Sequence, residues 1–315
     1  TVRESASCSE SRSRAISSGG AGVKAGLVDG LRDVLPYLRH FRGRTFVLKI
    51  GGEAIESESL LLNFASQVAV LHQLGIRVVI VHGGGVGATE LASKLGIDTS
   101  FIEGRRVTSR EMMEVILMSL RGVAQAKLLS ALVASGTSPV GLSGLDAHIA
   151  VVEKKPAVET INSGLVDYGY VGKLESINPS LIESTLEQGL VPVLCPVSSD
   201  AQGQCLNVNA DDFACAVAIA LRADKLILLT SPRGLLKDIG DPLSLCSQVS
   251  AEEIGVMIKD GTIQGGMLPK VSSAIRALDH GVKQVHMVSF QLPDAVLTEV
   301  FTNEGCGTMR SEERR

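Results

Sequence analysis

Apolar positions follow two alternating rhythms along the chain. Short, nearly unbroken apolar runs at 45–50, 77–82, 139–143, 148–152, 191–195, 225–230 and 284–289 predict strands, most of them buried on both faces. Between many of them, apolar residues recur every three to four positions, over 57–74, 88–95, 110–135, 179–188, 211–221, 267–280 and 293–301. That spacing predicts amphipathic helices. Strands alternating with helices imply an α/β fold, an αβα sandwich around a mainly parallel sheet. Short extended pieces over 148–173 predict a hairpin-rich insertion. Residues 1–22 are rich in Ser, Arg and Gly and read as a disordered tail. Glu4 and Glu10 argue against a targeting peptide there. A helix is expected within 23–44, and a soft domain boundary near Gly203 divides 45–203 from 204–315.

One residue breaks the apolar pattern. In "VLKIGGEAI", Lys49 sits inside a strand run, just before Gly51 and Gly52. Burying an ammonium costs several kcal/mol unless an anion meets it, so Lys49 needs a purpose.

Bulk properties narrow the choices. The 315 residues suit one large or two modest domains. A net charge of −4, 3% aromatic residues and no Trp disfavour a nucleic-acid surface. No unbroken apolar run has the length of a membrane span. Cys8, Cys195, Cys205, Cys215, Cys246 and Cys306 form no CxxC pair and no metal-binding spacing with His. They read as small buried hydrophobes of a reducing, cytoplasmic compartment.

Four stretches carry candidate chemistry. In "VVIVHGGGVGATELASKLG" a strand ends at His82, and Gly83, Gly84 and Gly85 lead into a helix. Glycines admit positive φ and close approach, and the helix start favours an anion, most simply phosphate. The same stretch fits a dinucleotide fingerprint, Gly83-x-Gly85-x-x-Ala88, with Glu103 at the ribose-binding distance. That rival leaves Lys49 without a role, and no GxxxxGK[ST] motif occurs. In "IQGGMLPKVSSAIRAL", Pro269 suits a first helical turn, which puts Lys270 at the end of the dipole that disfavours cations. A second anion site would explain it. In "CLNVNADDFACAVAIAL", Asn209 is an expected N-cap, and one of Asp211 and Asp212 is expected to face inward and hold the lysines. In "EGRRVTSREMMEV", Arg105 and Arg106 offer a bidentate carboxylate partner, with one of the two expected at the surface. The loop at 141–144 is a further candidate wall, and His82 and His148 read as structural. No Ser-His-Asp or Cys-His arrangement is evident, so covalent catalysis lacks support. Two lysines, an Asp and glycine loops suit phosphoryl transfer, which needs positioning and charge neutralisation.

Here the chain resembles the amino-acid kinase family, over nearly everything from Leu35 to Met309. The motifs are "KIGGEA", "VVIVHGGG", "EGRRVT", "VGLSGLDA", "GYVGKLESINP", "LNVNADD", "KLILLT", "GGMLPKV" and "EGCGTM", in this order. The likeness is greatest to members that phosphorylate N-acetyl-L-glutamate. It implies an open three-layer αβα sandwich with two lobes, 45–203 binding the acceptor and 204–315 binding ATP with Mg2+. The product would be an acyl phosphate for arginine biosynthesis. By motif, Lys49 and Lys270 match the transition-state lysines and Asp211 the residue that organises them. Gly51, Gly52, Gly84 and Gly85 match backbone donors, Arg106 and Asn207 acceptor ligands, and Thr230 the nucleotide pocket. No protein metal cage is implied. The amino-terminal helix resembles that of arginine-inhibited hexameric members, which implies a homo-oligomer, dimer or hexamer, and arginine bound near Glu304 and Gly305. Two departures stand out: Val86 follows the glycines where "HGGGP" is usual, and Ser231 in "LTSPRGLL" replaces the acid of "LTDVPGV". The stretch "VSFQLPDA" is closer to the arginine-sensing kinase-like domain of N-acetylglutamate synthase. Because Lys49, Asp211 and Lys270 are all present, an active kinase is the expectation. A related acceptor, such as an aminoadipate derivative, stays open.

Overall fold

The computed structural model describes residues 32, 34–102, 104–160, 164–237, 241, 244–263, 267–302 and 305–311. Two compact units divide the chain, Thr1–Arg42 and Gly43–Arg315. In the first, a helix covers 34–41, and the Tyr37 and Phe41 rings stack one turn apart at 6.5 Å. The predicted 1–22 tail lies outside the described residues, as do Glu103 and Glu304.

The second unit contains, in chain order, β1 (Thr45–Ile50), β2 (Arg77–His82), β3 (Ser100–Ile102), β4 (Arg105–Val107), β5 (Pro139–Ser143), β6 (Ala150–Lys154), β7 (Val158–Thr160), β8 (Gly164–Val166), β9 (Gly172–Ile177), β10 (Val191–Cys195), β11 (Val197–Ser199), β12 (Cys205–Asn207), β13 (Lys225–Thr230), β14 (Gln284–Ser289) and β15 (Thr308–Ser311). Among the described residues the main sheet runs β15-β14-β13-β1-β2-β10-β5. Its pairs are parallel, except that β15 closes one edge antiparallel to β14. The mainly parallel sheet of the sequence reading is therefore present. Two sets of helices flank it. Ala210–Ala220 and Met267–Asp279 pack on each other and on the β1, β13 and β14 region. Glu58–Gln73, Gln125–Ala134 and Ala295–Phe301 pack near β2, β5, β10 and β14. Val47, Val79, Val81, Leu226 and Leu228 join Phe213, Val217, Val271 and Leu278 in one core, with every side chain essentially buried.

Strand order reverses between β13 and β1, with β2 on the far side of β1. In open α/β sheets ligands bind at such a switch point, beyond the carboxyl ends of the strands. Lys49 and Thr230 occupy those ends.

The differences from the sequence reading have local causes. The expected 148–152 strand is β6, and it pairs antiparallel with β9 outside the main sheet, as part of the hairpin-rich insertion. The 88–95 helix begins earlier, at Gly85. The elements not anticipated include Gly52–Glu56, Ala251–Lys259, β15 and the short strand pairs β3–β4 and β11–β12. Ala251–Lys259 had a readable start, since Ser250 and Glu253 form a capping box. β15 gains its order from pairing with β14, which no local pattern announces. The Arg110–Ala134 helix is long and apolar enough to cross a membrane by length and composition. It carries the ion pairs Arg121–Asp146 and Lys127–Glu56 and buries Met112, Ile116, Leu128 and Leu132, as a core helix does. A π-helical turn over Leu117–Ala124 interrupts it.

Candidate active site

Lys49 lies at the carboxyl end of β1, in register with Val81 of β2 and Leu228 of β13. Its side chain shares the face of Val47, toward the Ala210–Ala220 helix. Asn209 caps that helix, accepting from the N–H groups of Asp211 (2.8 Å) and Asp212 (3.0 Å). The two acids then part. Asp212 turns outward to Arg276 and Ser273. Asp211 turns inward and is only 5% exposed. Its Oδ1 lies 2.8 Å from Lys49 Nζ, close as an ion pair but off line for a hydrogen bond. Its Oδ2 accepts a 2.9 Å hydrogen bond from Lys270 Nζ. Lys270 leaves the first turns of Met267–Asp279, so the cation misplaced for its own helix dipole is met by an acid at the start of the neighbouring helix.

Burial pulls the Lys49 pKa below its usual 10.5, and nearby Lys270 pulls the same way, while Asp211 opposes both. For Asp211 burial alone would raise the pKa, but the two lysines outweigh it and hold the carboxyl below its usual value. Asp211 is an anion between two cations.

The glycine turns close over this cluster. An added Cβ on Gly52 would stand 3.0 Å from Gly84 Cα and 3.2 Å from Gly85 N. The two turns therefore touch backbone to backbone, which only glycine permits. The expectation that Gly83, Gly84 and Gly85 use positive φ is not met: Gly84 has φ −179°, extended backbone, and none of the three is left-handed. Close approach, not a special dihedral, accounts for glycine here. His82 is buried with Nδ1 3.0 Å from Gly83 O, and burial lowers its pKa to about 4, so it stays neutral.

A cavity of about 300 Å3 opens beside Lys49 and Asp211, lined by Gly84, Gly85, Arg106, Tyr168 and Asn207 among others. An adjoining cleft of about 520 Å3 shares Lys49, Gly51, Gly52, Gly85 and Arg106, and adds Glu53, Thr230, Ser231 and Lys270. All the residues singled out for catalysis, acceptor and nucleotide therefore line these two spaces. Arg106 is the less exposed of the arginine pair, donating to Gly85 O and Thr89 Oγ1. Asn207 pairs through β11 and reaches Thr108 Oγ1 at 3.5 Å. The 141–144 loop lines neither space, because Ser143 binds Asp146 and Gly144 packs on Ser198.

The dinucleotide reading fails on topology. After Gly85–Lys94 the chain forms the antiparallel hairpin β3–β4, not a second parallel strand ending at a ribose-binding acid. Sequence reasoning missed Thr89, Glu53 and Phe101 on the cleft walls. Each sits at an ordinary helix or hairpin position, and nothing local marks it.

Comparison with known proteins agrees with the geometry. The amino acid kinase family profile matches residues 44–289. The acetylglutamate kinase of Methanothrix thermoacetophila is 41% identical over 281 residues, spanning 89% of this chain and 97% of that relative. That of Moorella thermoacetica is 40% identical over 281 residues, 89% and 95% of the two chains. Among solved structures, N-acetylglutamate synthase from Neisseria gonorrhoeae, complexed with coenzyme A and N-acetyl-glutamate, superimposes with a TM-score of 0.77 at 26% identity. It covers 91% of this chain, which spans only 64% of that synthase. Carbamate kinase from Giardia lamblia, bound to AMP-PNP, has a TM-score of 0.62 at 18% identity over 86% of this chain and 99% of its own, a likeness of fold. The chain belongs to the amino acid kinase family, as an acetylglutamate-kinase-like member.

Proposed function

We propose that this phosphotransferase moves the γ-phosphoryl group of ATP to the side-chain carboxylate of N-acetyl-L-glutamate, a step of arginine biosynthesis. The observation that carries the reading is Asp211 holding Lys49 and Lys270 on its two oxygens between glycine turns. A carboxylate acceptor is already ionised near neutrality, so its attack needs no general base. The obstacle is bringing an anion to a polyphosphate. An acceptor oxygen forms a bond to Pγ, the bond from Pγ to the β,γ-bridging oxygen breaks, and ADP leaves. Lys49 and Lys270 carry positive charge at the equatorial oxygens, and Asp211 keeps both ammoniums fixed. Gly51, Gly52, Gly84 and Gly85 supply backbone N–H donors without side chains in the way. Such preorganised donors are each worth about 3 kcal/mol of barrier.

The acceptor would occupy the smaller cavity, its carboxylates met by Arg106 and Asn207, in the part of the chain over 45–203. The nucleotide would occupy the cleft walled by Thr230 and Lys270, with 204–315 as its lobe. Mg2+ would enter on the nucleotide phosphates. Cytoplasmic residence belongs to the same reading and rests on the scattered cysteines, while a dimeric or hexameric assembly and arginine control rest on the resemblance of the amino-terminal helix. The test is ADP release from MgATP with and without N-acetyl-L-glutamate. Release that needs this acceptor and collapses in Lys49→Ala supports the reading. A folded protein without turnover overturns it.

A second reading draws on the 26% identity with N-acetylglutamate synthase: a kinase-like domain that binds arginine without turnover. Melting with and without arginine, beside the ADP assay, separates the two.

A further inference from the structure

Arg106 is anchored in three directions by its own protein. Its Nη2 donates to Thr89 Oγ1 at 2.7 Å and to Gly85 O at 3.0 Å. Its Cζ lies 4.6 Å from the centroid of the Phe101 ring, a cation–π contact that sets the guanidinium over the ring face. Nη1 has only the Met112 thioether at 3.9 Å, a weak acceptor. Nε makes no hydrogen bond among the described residues.

Thr89 is the in-plane anchor. A helical threonine commonly returns its hydroxyl proton to the carbonyl four residues back. Thr89 does so, donating to Gly85 O at 2.9 Å. That bond orients the hydroxyl, and its lone pairs then accept the short, charge-assisted bond from Arg106. Ring stacking alone lets a guanidinium slide and spin over the aromatic face. The Thr89 and Gly85 bonds together remove that freedom, and Thr89 makes the shorter of the two.

We propose that Thr89 is a positioning residue for Arg106, fixing the guanidinium plane so that an N–H group left open, on Nη1 or Nε, meets the acceptor carboxylate. The inference rests on the reading of Arg106 as an acceptor ligand. Acceptor affinity then depends on a hydroxyl that acts through its neighbour. Because Nη2 is already engaged by the protein, the acceptor draws on the N–H groups that remain, and their direction is set by how Nη2 is held.

The experiment is steady-state kinetics on Thr89→Val, Thr89→Ser and Arg106→Lys, each matched to wild type by circular dichroism and melting. Thr89→Val should raise KM for N-acetyl-L-glutamate about tenfold, with kcat and KM for MgATP changing far less. Thr89→Ser keeps the hydroxyl and should restore the acceptor KM. If Arg106→Lys raises the acceptor KM while Thr89→Val leaves it unchanged, the positioning role falls. Equal losses for Val and Ser, or parallel changes in both KM values and kcat, also overturn it. If Arg106→Lys leaves the acceptor KM unchanged, Arg106 is not an acceptor ligand and the proposal falls with that reading.

Discussion

Ser231 Oγ donates a 2.6 Å hydrogen bond to Glu53 Oε2, tying the turn after β13 to the short helix after β1. Ser231 is the position where the resembling kinases commonly carry an acid, and in this chain the carboxylate stands across the cleft instead. Ser231→Asp would set two carboxylates against each other on the wall of the cleft proposed for the nucleotide. Its KM for MgATP should rise about tenfold, and adding Glu53→Gln should recover most of the loss. A double-mutant cycle on KM measures the coupling.

On the proposed mechanism Lys49→Ala and Lys270→Ala each remove a donor to developing charge, so each should lower kcat by about 10²–10³-fold. Asp211→Ala should abolish turnover and also destabilise the fold by about 3–5 kcal/mol, because it leaves the buried Lys49 without its anion. Denaturant unfolding of Lys49→Ala beside Asp211→Ala checks the asymmetry, the larger loss belonging to Asp211.

Activity should have an alkaline limb below the ordinary lysine value. Burial and Lys270 lower the Lys49 pKa from 10.5, so its ammonium is lost earlier as pH rises. The profile of kcat/KM, which reports the free enzyme, should fall through that lowered value. Asp211 acts on stability at the other end. Its folded pKa is depressed by the lysines, so its contribution is complete above the ordinary value of 3.8 and is lost as pH falls through the folded one. Acid unfolding monitored beside Asp211→Asn checks the sign.

Gly52→Ala should impair turnover without unfolding the protein. Its Cβ would meet Gly84 Cα at 3.0 Å, backbone against backbone, and force the two turns apart. A shift of that kind misplaces donors that matter at sub-ångström precision. A kcat loss of about tenfold or more, with Tm nearly unchanged, is the expected result.

Gln67 is a stability residue outside the site. Its Oε1 accepts from Val296 N at 2.8 Å, at the start of a helix 229 residues away, while its Nε2 donates to Asn63. Asp294 stands at the N-cap of that helix but makes no side-chain capping bond. Gln67→Leu leaves buried N–H groups unsatisfied and should cost about 1–3 kcal/mol, read as a lower Tm with unchanged KM values.

The sequence by itself determined most of the longer elements and the kind of site. All seven predicted strands are present: six lie in the main sheet, where apolar runs bury both faces, and the seventh, β6, is half-buried and pairs antiparallel outside it. Lys49 and Lys270 were legible because each violated a local rule, a cation in an apolar strand and a cation at the wrong dipole end, while the acid was legible from its setting only as one of the pair Asp211 and Asp212. Tertiary structure alone decided which acid turned inward. Asp211 and Asp212 are adjacent and both suit a helix start, and only the packing of Ala210–Ala220 against β1 and Met267–Asp279 separates their directions. It also brought Glu53 to Ser231, Thr89 to Arg106 and Gln67 to Val296. These pairs are 178, 17 and 229 residues apart. Their members occupy unremarkable positions, and a hydrogen bond across that separation leaves no period, cap or breaker in the chain from which it could be read.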